Sequence, residues 1–239
     1  MKISIIALKV TRHSDSQSIL TAFSRELGRV ALSLPAGNGR GANRLRALTM
    51  PLGMLSCETE LRPGREILPI RQPQPLVIHA SIHSNPLKQM VAMFVAEVLS
   101  LTLRHTAPDP LMFDFVATAT EILDLSDERG VANFHICFLL RLASLLGIEP
   151  DTESYRPGSL FDMADGLWRV TMPLHTDVLD APEAAQAALL QRMTFANMRH
   201  FRFSRQQRGQ VIDHIMRYYT IHGYPLQPLR TLSVLKSML

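Results

Sequence analysis

The sequence predicts an α+β chain, with a small β region over residues 1–75 and a helical region over residues 76–239. Three observations predict it. Strand-like alternation and closely spaced Gly, Pro and polar turns fill the first third and stop at "RQPQPL" (71–76). Beyond that point apolar residues recur at helical spacing behind Asn or Asp caps and first-turn prolines. Charge divides at the same place. Residues 1–75 carry 11 basic and 5 acidic residues, a net of +6, and residues 76–239 carry 14 and 16, a net of −2.

Five strand candidates follow in order. "ISIIALKVT" alternates Ile3, Ile5, Ala7 and Lys9 against Ser4, Ile6, Leu8 and Val10. "SQSILTAFSREL" comes next, then Gly28 and "RVALSLPAG". The fourth candidate, "LGMLSCETEL", sets Leu52, Met54 and Ser56 against Gly53, Leu55 and Cys57, and the fifth, "EILPIRQPQPL", follows the Pro63-Gly64 turn. Between the third and fourth, "GANRLRALTMP" is the only helix-permissive piece of this region. Five strands with a short helix after the third is the layout of an OB-fold barrel. Strand count alone leaves another small barrel, such as an SH3-like one, open.

The helices follow. Asn85 caps and Pro86 opens one that carries Leu87, Met90, Val91, Phe94, Val95, Val98 and Leu99. Asp109 and Pro110 open a second. "GVANFHICFLLRLASLLGI" is apolar nearly all round and is expected to be a buried central helix ending at Gly147. "EPDTESYRPGS" reads as a loop. "APEAAQAALLQRM", "SRQQRGQVIDHIMRYYTIHG" and "LRTLSVLKSML" complete the set.

Composition bounds the rest. The chain has 239 residues, 46% of them apolar, enough for a sizeable core. The longest apolar stretch, near Met90–Leu103, is interrupted by Glu97, Ser100 and Thr102 and is too short for a membrane span. The N-terminus alternates like a strand and shows no signal-peptide cleavage site. Two cysteines eighty positions apart, Cys57 and Cys137, argue against a disulfide framework and for a cytoplasmic setting.

The charge asymmetry points to a polyanion held by the N-terminal part. Its densest piece is "LPAGNGRGANRLRALTM" (34–50), with Arg40, Arg44 and Arg46 among Gly37, Gly39 and Gly41 and no acidic residue. Glycines let the backbone approach phosphates, and guanidinium groups bind phosphate as a fork. Arg12, Arg25 and Arg29 in the neighbouring strands are candidates to extend the patch. "PAGNG" is not a phosphate-binding nucleotide loop, because no Gly-Lys-Ser/Thr ends it. Phe23 is the only aromatic residue in 1–75. Backbone tracking is therefore expected over base stacking, with tolerance of single and double strands.

Weaker motifs lead elsewhere. In "RHFRFSRQQR" (199–208), Phe201 and Phe203 are expected to pack while the arginines stay solvated at a helix start; added nucleic-acid contacts are the other reading. His79/His83 and His135/Cys137 lack a second ligand pair, so no metal or other cofactor is expected. "RHSDSQS" (12–18) reads as a polar turn and not a triad, since a triad is a matter of spatial geometry.

Four segments together resemble the RecO family of DNA repair proteins over nearly the full length. They are "IIALKVTRHSDSQSILTAFSRELGRVAL", "AGNGRGANRLRALTMPLGMLSCETE", "NFHICFLLRLASLLGIEP" and "MRYYTIHGYPLQPLRTLSVLKSML", the last with Tyr218, Tyr219 and His222. The resemblance implies a non-enzymatic recombination mediator of the RecF pathway, cytoplasmic and nucleoid-associated. Such proteins bind single- and double-stranded DNA through the OB domain and anneal complementary strands. With RecR, they load RecA onto DNA coated by single-strand-binding protein (SSB), whose C-terminal tail is a further implied partner. Many members carry a four-cysteine zinc finger. This chain departs from that pattern at Cys137, and a metal-free loop and short helix are expected over "DTESYRPGSLFDMADGLW" (151–168). The competing reading is a helical protein-interaction adaptor whose barrel binds nothing.

Overall fold

A computed structural model describes residues 1–35, 37, 39–104, 107–226 and 229–239; Ala36 and Asn38 of the glycine–arginine stretch lie outside them. The chain forms two compact units, Met1–Ser126 with Leu229–Met238, and Asp127–Pro228 with Leu239. The change from strand to helix falls near Val77, so the first unit contains all of the β region and several helices as well.

The first unit is built on strands β1 (Lys2–Arg12), β2 (Gln17–Ser24) and β3 (Gly28–Pro35), helix α1 (Arg40–Leu48), and strands β4 (Met54–Glu58), β5 (Ile67–Pro69) and β6 (Arg71–Val77). The sheet order is β5-β3-β2-β1-β4-β6. The fifth expected strand is thus two strands, and the expected count of five becomes six. Pro69, Pro73 and Pro75 offer no N–H to a ladder, and Gln72 takes φ of 47°, which turns the chain. β5 pairs in parallel with β3 (Ala31 with Ile67, Leu32 with Leu68). β6 pairs antiparallel with β4 (Leu55 with Pro75, Ser56 with Gln74). Only Ile70 separates the two edge strands, so the sheet curls until its edges meet there. The result is a curled, barrel-like sheet of the expected OB type. Its interior is Ile3, Ile5, Ala7, Leu20, Ala22, Leu32, Leu55 and Cys57. Burial pushes the Cys57 thiol up to about 11, so it stays a core residue.

Ile6 and Leu8, on the other face of β1, are buried too, because helix α3 packs there. Helices α2 (Ala80–Ser84), α3 (Pro86–Thr102) and α4 (Pro110–Leu125) complete this part of the unit. The Asn85 side chain accepts from the N–H groups of Leu87 and Lys88, and that of Asp109 accepts from Met112. Asn85→Ala is expected to cost about 1 kcal/mol of stability, read as a lower unfolding midpoint in urea. α2 carried no sequence signal. It is held by Asp124, whose carboxylate accepts from Ile82 N–H, and by the buried Lys88 ammonium, which donates to Ser81 and to the Asp124 carbonyl.

The second unit is centred on α5 (Glu128–Leu145), buried nearly all round through Phe134, Ile136, Cys137, Phe138, Leu139 and Leu142. α6 (Ala181–Leu190) and α7 (Arg205–Ile221) pack beside it, and α8 (Thr231–Met238) belongs to the first unit. Residues 151–168 differ from expectation. A 3-10 turn at Thr152–Ser154 leads into an antiparallel sheet of β7 (Leu160–Asp162), β8 (Leu167–Arg169) and β9 (Val178–Leu179). Gly166, at φ of 69°, closes the β7–β8 hairpin, and Trp168 packs on Phe161 with the ring centroids 4.4 Å apart and the planes tilted by 38°. Apolar packing of Phe161, Met163, Trp168 and Tyr218 holds this element. No group of three or more His, Cys, Asp or Glu able to hold a metal occurs among the described residues. No helix among them is long and apolar enough to cross a membrane.

Candidate nucleic-acid interface

Helix α1 presents the three arginines of the glycine-rich stretch. Leu45 is its one buried side chain, packed into the sheet core, while Arg40, Arg44 and Arg46 are exposed. Local chemistry does little to favour this helix. Gly39 caps it without a side-chain hydrogen bond, and the first turn has no acidic residue. Arg40 sits at the positive end of the helix dipole, and Arg40 and Arg44 are like charges at i,i+4. Arg46 in the last turn is the one favourably placed charge.

Tertiary contacts supply what α1 lacks. Its C-terminus is closed by Thr49, whose N–H and hydroxyl both donate to the Leu45 carbonyl, at 3.0 and 2.9 Å. The chain then locks onto β1: Leu52 N–H donates to the Ala7 carbonyl and Ala7 N–H to the Gly53 carbonyl, both at 2.8 Å. Gly53 is required by close approach, since a Cβ there would lie 2.2 Å from the Leu48 carbonyl oxygen. Arg44 donates to the Gln74 carboxamide on β6, and Arg46 to the Gly37 carbonyl and the Asn43 side chain. These partners are neutral, so they orient the guanidinium groups without cancelling their charge.

The other three arginines separate. Arg12, at the end of β1, pairs with Ser18, and Ser18 pairs with Leu34 near the start of α1. It therefore lies toward the same end of the sheet as α1, in an exposed ion pair with Asp15 at 2.7 Å. Such a pair adds little stability and is readily given up. Arg25 and Arg29 flank the β2–β3 turn, six residues of strand or about 20 Å from that end. Arg25 makes a two-pronged pair with Asp114 of α4 and sits 5.7 Å over the Phe113 ring. Its pKa rises, chiefly through the hydrogen bond to Asp114. Arg29 is half-buried and donates to the Ser100 carbonyl of α3 at 3.1 Å; burial, then the charge of Arg104, lowers its pKa.

Two cations that the sequence reading passed over join α1. Lys9 of β1, Arg46 and Arg230 line one open groove of about 680 Å³, floored by Leu8, Val10, Met50 and Met93. Glu97 also lines it, but its carboxylate is occupied in capping α8, accepting from the N–H groups of Arg230 and Thr231 and from the Thr231 hydroxyl. Lys9 had a weak signal, as a cation following the apolar run Ile5–Leu8 of β1. Arg230 had none, because only the fold returns it to β1.

A curled OB-type sheet bearing a cationic helix, joined to helices, defines a structural class of α+β protein. Comparison with known proteins narrows the class. The family model described as "Recombination protein O C terminal" matches residues 83–231. Over 239 residues the chain is 36% identical to the DNA repair protein RecO of Porphyromonas gingivalis, covering 98% of this chain and 96% of that one. It is 31% identical to that of Phocaeicola vulgatus over 233 residues, at 98% and 96% coverage. To that of Azobacteroides pseudotrichonymphae it is 28% identical, at 99% and 98%. The chain belongs to the RecO family of DNA repair and recombination proteins.

Proposed function

We propose that this chain is a recombination mediator that binds single- and double-stranded DNA through α1, anneals complementary strands and, with RecR, helps load RecA onto SSB-coated DNA. The observation that carries the reading is α1 itself. A helix with three arginines, no acidic residue and no side-chain cap is kept folded by tertiary contacts that aim its charges outward. Local disfavour that a fold maintains marks a functional segment. Arg40, Arg44 and Arg46 neutralise phosphates, Arg12 adds to them from the adjacent strand end, and Lys9 and Arg230 extend the field along the groove. Annealing follows because two backbones approach only where cations screen both.

We assign Arg25 and Arg29 instead to holding the sheet on α4 and α3. Arg25→Ala is expected to lower the unfolding midpoint slightly and leave DNA affinity within about twofold of the parent, as for a solvent-exposed pair away from the site. Loss of affinity comparable to that of an α1 variant would return Arg25 to the interface. We further propose that residues 1–75 act as the principal DNA-binding domain, that the helical region 76–239 contacts the SSB tail, and that the protein works without catalysis in the cytoplasm on the nucleoid. The test is annealing of SSB-coated complementary oligonucleotides, using SSB with and without its tail. Acceleration that depends on the tail and on Arg40, Arg44 and Arg46 supports the reading. Annealing that ignores the three arginines contradicts it.

A further inference from the structure

The second unit carries its own concentrated positive field, which α1 does not explain. A pocket of about 440 Å³ is lined by Arg129 at the start of α5, by Arg199, Phe201, Arg202 and Phe203 from the run before α7, and by Arg208 in the first turns of α7. No carboxylate side chain is among its described lining residues. Of the two helix N-termini beside it, that of α5 is capped by the Asp127 carboxylate and carries Glu128, whereas that of α7 is capped only by the neutral Ser204 and Gln207, so the α7 backbone dipole adds to the guanidinium charge.

The pocket is rigidly built. Asn133 is buried in α5, and its carboxamide donates to the carbonyls of Met198 and Phe201, both at 2.9 Å. Its oxygen accepts from Arg208 Nε at 3.4 Å. Arg208 is half-buried, spans to the carbonyls of Leu239 and Phe203, and has its pKa lowered by burial. Arg129, Arg199 and Arg202 are exposed. Phe201 and Phe203 stack on each other at 6.2 Å and 26° and are only partly buried. The two rings thus pack on each other beside solvated arginines, and each keeps part of its surface open.

We propose that this pocket is a second nucleic-acid site, specific for single strands, in which Arg129, Arg199, Arg202 and Arg208 take backbone phosphates and the Phe201–Phe203 pair receives bases. Charge and ring interleave over 199–203 as phosphate and base interleave along an unpaired strand. A duplex keeps its bases stacked inside and offers the rings nothing. The site lies on a different unit from α1, so one molecule has two places to hold strands.

The test uses the full chain and a labelled oligothymidylate of about 20 nucleotides, followed by anisotropy. Arg129→Ala/Arg199→Ala/Arg202→Ala alters exposed side chains only, and circular dichroism checks its fold. The affinity for the oligonucleotide is expected to fall about tenfold and the salt slope by about 2, with duplex binding changed much less. Arg202→Gln alone, with a smaller loss in the same direction, serves if the triple variant misfolds. In Phe203→Trp, the added emission is expected to be quenched by oligothymidylate and not by inorganic polyphosphate. Unchanged oligonucleotide affinity, equal loss for duplex, or quenching absent with oligothymidylate would each overturn the proposal. The α1 variant run alongside reports separately on the first site.

Discussion

Gly53→Ala is expected to unseat helix α1 and to destabilise the first unit by about 3 kcal/mol or more. The added Cβ would meet the Leu48 carbonyl oxygen at 2.2 Å and the Met50 carbonyl oxygen at 2.9 Å. Both are backbone atoms, one at the last residue of α1 and one in the turn that follows, so neither can swing away as a flexible side chain would. Relief requires moving the turn, and the turn carries the Leu52–Ala7 and Ala7–Gly53 hydrogen bonds that tie α1 to β1. A drop in thermal midpoint accompanied by weaker DNA binding is the expected result. An alanine variant of parental stability would show that the turn is not what seats the helix.

The second large effect is on binding alone. Arg40→Ala/Arg44→Ala/Arg46→Ala should fold as the parent does, since all three side chains are exposed and alanine suits a helix better than three like charges. Its affinity for a duplex, which the pocket in the second unit does not serve, is expected to fall about a hundredfold near 0.1 M salt, where each lost phosphate contact also removes a released counterion. Strand annealing should fall in parallel. Retained affinity in a folded variant would move the interface elsewhere.

What the sequence discloses, and what it hides, follows the range of the forces involved. The caps at Asn85 and Asp109 are legible because a cap reaches only two or three residues along the chain. The buried character of α5 is legible because it needs no partner's identity. The division of the fifth strand at Ile70 is not, because it depends on β3 and β4 claiming opposite halves of one segment. The β7–β8 hairpin had a local signal in Asp165-Gly166, but strands of three residues carry too little alternation to be read. The site divides in the same way. The arginines of α1 stand together in sequence. The partners of Arg25 and Arg29 lie 89 and 71 positions away, and so their engagement with α4 and α3 is invisible before folding. Lys9 is brought beside Arg46 by the turn after α1 that bonds to β1, and Arg230 by the return of the chain just before α8.

The salt dependence of duplex DNA binding by the parent and by the Arg40/Arg44/Arg46 alanine variant tests the central claim most directly. If α1 neutralises backbone phosphates, the plot of log affinity against log salt should be shallower for the variant by about 2 to 3 units of slope. Two parallel lines, whatever their separation, would contradict it.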